Sequence, residues 1–360
     1  MRSSDNHLNT PRQTSDRPAR NSSLDWVCGL MMIRIIIGHI YFYCGASWPL
    51  ETIRIMDIIL FANMPWFFFK AGMFFKNYPT NNVIRSSSKR LLIPWAVFGV
   101  LGLIQVTILV HEPSDIIHRI ISACKTVLVD MAFPGNLALW FLLSLFFCRI
   151  LASLLQKICG SLWAYAAIVA GFFLAFYFNI FPPKTSDDFF IFPNIFLGLI
   201  FFGFGYILRT KQYTPHVIIP ALILFIILSL FEPYGIDVRA NGAFDTTTTQ
   251  YITFYPRALC IILVLNYIAY HFPTAYLRKS IISYIGRNSM SFYVLHSPIM
   301  LICEIILFRL PISAASRGLI ILSVLVITLP LTDWFLRRYW PEALGLRRDR
   351  KRMTAPDELP

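Results

Sequence analysis

The 360-residue chain is 56% hydrophobic and only 14% charged, with a formal charge of +13. Soluble globular domains are about 45–50% apolar and about a quarter charged, so this balance excludes an ordinary soluble fold. The apolar residues fall in blocks of about 18–25, the length that crosses a hydrocarbon core.

In lipid the backbone must satisfy its own polar groups, so such blocks predict helices. The fold expected is an all-α polytopic membrane helix bundle of about ten transmembrane helices. Residues 1–24 are polar and lack an apolar run ending in a small-residue cleavage site, which predicts a disordered cytoplasmic tail followed by an uncleaved anchor. The ten spans lie near 25–44, 54–75, 91–110, 137–156, 161–180, 191–208, 216–231, 253–271, 289–308 and 317–336, and the membrane domain covers 25–336. The second is interrupted by Met64-Pro65 and the seventh is short. Residues 337–360 form a basic cytoplasmic tail.

Basic residues concentrate on one side of this arrangement. The tails, with Lys76, Arg85, Lys89 and Arg90, fall inside, whereas the opposite loops hold few, such as Arg119, Lys125 and Lys184. The positive-inside rule then puts both termini in the cytoplasm of a cell (inner) membrane protein and places the loop 232–252 outside. That topology accounts for the charge without a nucleic-acid partner.

Ionisable residues within spans are costly and usually face the bundle interior. In the first span, "LDWVCGLMMIRIIIGHI", Asp25 and His39 fall within about 40° of one another on the helix and about 21 Å apart along it. Cys28 shares their stripe and Arg34 does not. Asp25 suits an N-cap as well as a functional role, and His39 suits an interhelical hydrogen bond as well as catalysis. Lys70, in "MPWFFFKAGMFF", either snorkels towards the Lys76 side or lines a polar cavity. Arg85, Lys89 and Arg90, in "NVIRSSSKRLLIPW", either anchor the topology or clamp phosphates of a cytoplasmic donor.

The ninth span, within "ISYIGRNSMSFYVLHSPIM", sets Ser289, Tyr293 and His296 on one helical face. His296 stands two residues before Pro298, whose missing N–H leaves a carbonyl unpaired, so bonding that loosened backbone competes with chemistry as its role. The seven cysteines are odd in number and show no CxxC or Cys/His ligand spacing. Neither a disulfide framework nor a metal site is expected.

Taken together, these segments resemble the acyltransferase 3 family of integral membrane O-acyltransferases, and within it the fucose 4-O-acetylase-like proteins. "LDWVCGL…IIIGHI" is similar to the family's first span, "MPWFFFKAGMFF" to its "MPLFFFISGFLF", and "KRLLIPW" to the basic entry of span three. "LALWFLLSLF" resembles "HLWFL", "FLGLIFFGFGYIL" resembles "FFLLGYLL", and "YIGRNSMSFYVLHSPI" resembles "YIGKNSLxIYLLHxP". The resemblance runs from about Leu24 to Phe308.

It implies transfer of an acetyl or other short acyl group from acetyl-CoA or another acyl-CoA to a hydroxyl. The acceptor implied is a sugar of a cell-surface glycan, its lipid-linked precursor or a related envelope molecule, in other words polysaccharide modification. The acyl-CoA is a co-substrate, and no bound cofactor is expected. The family's catalytic histidine falls on His39, and its donor-associated arginines fall on Arg85 and Arg90. The chain departs from the pattern at Cys28, where Lys or Arg is usual, at Ala138, which replaces the histidine of "HLWFL", and at Lys70, a normally apolar site. Lys70 is a candidate to supply the missing charge for the donor.

A neutral imidazole at His39 would act as general base towards the acceptor hydroxyl or carry the acyl group itself. Tyr293 or Ser289 would steady the oxyanion, with His296 and Asp25 as further supports. Two other readings stand beside this one: a transporter or flippase for a lipid-linked sugar or small solute, and a non-catalytic family member.

Overall fold

The computed structural model describes residues 22–43, 60–109, 121, 123–127, 131–180, 191–209, 214–231, 248–271 and 274–346. Among these the protein is helical, with one isolated β-bridge between Phe133 and Asn136. The N-terminal tail to residue 21, the first part of the second predicted span, the tail beyond 346 and most of the loop 232–252 lie outside the described residues.

The helices, in order, are α1 (Ser22–Tyr43), α2 (Asn63–Met73), α3 (Thr80–Ser87), α4 (Ile93–Leu109), α5 (Trp140–Cys159), α6 (Trp163–Ile180) and α7 (Ile191–Leu208). They continue with α8 (Pro215–Phe231), α9 (Thr248–His271), α10 (Thr274–Lys279), α11 (Ile281–Arg287), α12 (Ser289–Phe308) and α13 (Ala314–Tyr339). Every one of the ten predicted spans overlaps a helix. Among the described residues, however, six stretches are both long and apolar enough to cross a bilayer: Ser23–Tyr41, Thr80–Leu109, Leu137–Tyr177, Ile252–His271, Ser289–Phe308 and Ala314–Tyr339.

The difference from ten has local causes. Leu137–Tyr177 contains the fourth and fifth predicted spans, parted at Gly160, whose φ of 57° ends α5. Asn194–Leu208 and Pro215–Phe231 are shorter apolar helices, and α2 has 11 residues. The protein is a multi-pass membrane protein of helices, and their outward faces are apolar: Ile219, Ile223, Leu230, Leu319 and Ile327 are exposed. With no water in the bilayer core, such faces suit lipid.

The interior is organised around α1, which packs against α2, α9, α10, α11, α12 and α13. It approaches α11 backbone to backbone: a Cβ at Gly286 would collide with the carbonyl of Asp25, and one at Gly29 with that of Ile282. A second group joins α2, α5, α6 and α7 through rings such as Phe68, Phe75, Phe141, Trp163 and Phe202.

The continuous helix Thr80–Leu109 changes to π-helical winding over Ser88–Leu92, the five residues that carry Lys89 and Arg90. After Tyr339 the chain turns through Pro341–Leu344, burying Pro341, Ala343 and Leu344 and packing against α4. Gly345, in the left-handed region at φ 66°, lies against the main chain of Lys89 and Arg90.

Candidate active site

His39 sits near the end of α1, half-buried, and its Nδ1 lies 2.8 Å from the carbonyl oxygen of Ile35. His296 sits midway along α12, fully buried, with Nδ1 3.1 Å from the carbonyl of Phe292. A carbonyl oxygen can only accept, so each neutral ring carries its proton on Nδ1 and keeps Nε2 as the lone-pair nitrogen. The two rings touch: their centroids are 4.9 Å apart, edge to face at 75°. Two residues nominated separately from two spans therefore form one pair. The Nε2 of His296 has no hydrogen-bond partner among the described residues.

The carbonyl that Pro298 leaves open belongs to Val294, since a helical N–H bonds four residues back. His296 does not close it. Asn136 does, donating its side-chain amide to Val294 at 3.0 Å, and Gln105 of α4 donates to the carbonyl of Pro298 itself at 2.7 Å. Asn136 is placed by the turn that begins at Met131, whose carbonyl accepts from the Trp95 indole at 2.7 Å. His296 is thus released from the backbone role and faces His39.

Tyr293, one turn earlier on α12, lies 5.9 Å from His296 by ring centroids, and its hydroxyl donates to the carbonyl of Ala138. That proton is committed to the backbone, so the hydroxyl offers a lone pair rather than an oxyanion donor. Tyr293 also lines a cleft of about 280 Å³ with Ser289, Met290, Lys70, Phe67, Phe74 and Phe141. Lys70 does not extend to the Lys76 side: its ammonium stands over the Trp66 ring at 5.2 Å, a cation–π arrangement, and borders the cleft. The structure thus brings Lys70, Ser289 and Tyr293 together, with His296 and His39 beyond Tyr293.

Asp25 and the arginines stand apart from this group. Asp25 is buried in the first turn of α1, which begins three residues earlier at Ser22. Its carboxylate complements the positive helix end rather than capping it as the N-cap residue. Arg85 and Arg90 are exposed, on α3 and the π-helical turn.

A third arginine, Arg149 of α5, went unnoticed in the sequence because it lies inside an apolar run. Its Nε donates to Ser87 at 2.8 Å, and its guanidinium stands 5.9 Å over the Phe75 ring, within Coulombic reach of Arg90. Nearby, a polar cleft of about 430 Å³ opens between Asn77–Asn81 and Ser153, Gln156 and Lys157 of α5. No group of three or more His, Cys, Asp or Glu residues that could hold a metal ion occurs among the described residues.

A bundle of apolar helices that sets His39 against buried His296, near a cleft bordered by Lys70, belongs to the class of integral membrane proteins. The particular family follows from the sequence: the profile of the acyltransferase 3 family, described as an acyltransferase domain, matches residues 21–337, and the chain belongs to that family. No curated protein and no solved structure matches it significantly.

Proposed function

We propose that this protein transfers an acetyl or other short acyl group from acyl-CoA to a sugar hydroxyl of a cell-surface glycan or its lipid-linked precursor, in the manner of fucose 4-O-acetylase-like proteins. The family supports acyl transfer by a membrane protein, and the observation that carries the site assignment is the orientation of His39. Nδ1 is tied to the carbonyl of Ile35, which makes Nε2 the basic nitrogen that would take a hydroxyl proton in this reading. General-base catalysis of this kind contributes typically about 10²–10⁴-fold.

In this reading the donor approaches from the cytoplasmic side of the inner membrane. Its phosphates meet Arg85 and Arg90, and Lys70 offers a cation in the cleft between the donor side and the histidines. The neutral walls of that cleft, Phe67, Phe74 and Phe141, suit the uncharged acyl end of a thioester donor. The family supports acyl transfer over the transporter reading, and the presence of His39 at the family's histidine position favours a catalytic member.

The test is thioester consumption by the purified protein with acetyl-CoA and a panel of glycan acceptors, wild type against His39→Ala. Loss of turnover in a variant that still inserts and accumulates is expected. A His39→Ala protein with wild-type turnover would remove His39 from the chemistry. An acyl-carrier role is separated from a base by mass: only the former adds an acyl group to the His39 peptide when donor is supplied alone.

A further inference from the structure

The contact between His39 and His296 carries more than a neighbour relation. His296 is sealed from solvent on α12, its Nδ1 is satisfied within its own helix, and its Nε2 has no partner among the described residues. Leaving a buried imidazole nitrogen unbonded costs free energy, and a Phe there would fill the same volume without it. The backbone does not need it either, because Asn136 closes the carbonyl opened by Pro298.

We propose that His296 is the positioning residue for the charge that His39 acquires, its neutral ring, with Nε2 unbonded among the described residues, stabilising protonated His39 across the ring contact during acyl transfer. The inference rests on the reading of His39 as general base. As the acceptor oxygen bonds to the thioester carbonyl carbon, its O–H bond breaks and the proton passes to Nε2 of His39. An imidazolium in a water-poor bundle lacks solvation, and the adjacent neutral imidazole, 4.9 Å away by centroids, supplies it. When the tetrahedral intermediate collapses, the C–S bond breaks, the thiolate of coenzyme A leaves and takes that proton, and both histidines return to neutral. Hydroxyl and thioester have become ester and thiol.

Three variants are compared in purified form: His39→Ala, His296→Phe, which keeps an aromatic ring and removes the lone pair, and His296→Gln, which restores an acceptor oxygen. The expected result is a kcat for His296→Phe lower by on the order of a hundredfold, with the KM for acyl-CoA unchanged and His296→Gln within about tenfold of wild type. Near-wild-type turnover in His296→Phe beside an inactive His39→Ala overturns the inference and leaves the role of His39 intact. A fully active His39→Ala instead overturns the reading beneath it. Should the Phe variant fail to accumulate, His296→Leu takes its place, and equal turnover in the Leu and Gln variants overturns the inference.

Discussion

Asn136 donates its side-chain amide to the carbonyl of Val294 at 3.0 Å, and that carbonyl is the one whose helical donor would have been the nitrogen of Pro298. A break in α12 is thus repaired from the segment that precedes α5, two residues from His296. Asn136→Ala removes the repair and leaves a buried carbonyl open. Interhelical hydrogen bonds of this type contribute about 1–2 kcal/mol in model membrane peptides. The variant should therefore unfold at lower temperature in detergent, with turnover reduced in the protein that remains folded. An unchanged melting temperature would show that the carbonyl finds another donor.

Arg85 and Arg90 stand exposed where a phosphorylated donor can reach them. Changing both to Gln should raise the KM for acyl-CoA with kcat little affected and insertion intact. The loss of one charge-assisted hydrogen bond costs on the order of 1.5–3 kcal/mol, roughly a tenfold to hundredfold change in apparent affinity. Donor kinetics identical to wild type would reduce the two residues to topological anchors.

Gly345 has φ 66° and lies against the carbonyl of Lys89. Gly345→Val adds both a strained conformation, costing on the order of 1–3 kcal/mol for a residue held in a sparsely populated region, and a collision with the π-helical turn. It should lower thermal stability and raise the KM for the donor through displacement of Arg90, while the His39 peptide keeps its chemistry. A variant with wild-type stability and donor affinity would show that the turn Pro341–Leu344 is not fastened to the helix beneath it.

The topology is tested by reporter fusions. A fusion after Pro360 should report cytoplasmic and one within 232–252 external. A cytoplasmic report from that loop would require an odd number of crossings between the two points to be recounted.

Much of the helical layout was legible from apolar block length alone, because lipid imposes one requirement on every span. The number of crossings was less legible: six stretches of the described residues are long and apolar enough to cross a bilayer, while Asn194–Leu208 and Pro215–Phe231 are apolar but shorter. At the site, the periodicity of α12 placed Ser289, Tyr293 and His296 on one face, which the cleft and the histidine contact share. Periodicity within a helix does not say which helix lies opposite, so the meeting of His296 with His39 could not be read from either segment. Asn136 was missed for a related reason. Its value depends on a proline in another helix, and nothing in its own surroundings marks it. Arg149 was hidden by the apolar run around it, although an unaccompanied arginine in such a run is itself a signal worth following.

The central place of α1 has a consequence for how the protein is made. Five of the helices it packs against, α9 to α13, lie in the last third of the 360 residues, far from it in sequence. Until α12 is made, the contact between His39 and His296 does not exist. Assembly of the later helices around the first is the step that brings His296 to His39, and a chain arrested before α12 would lack that pair.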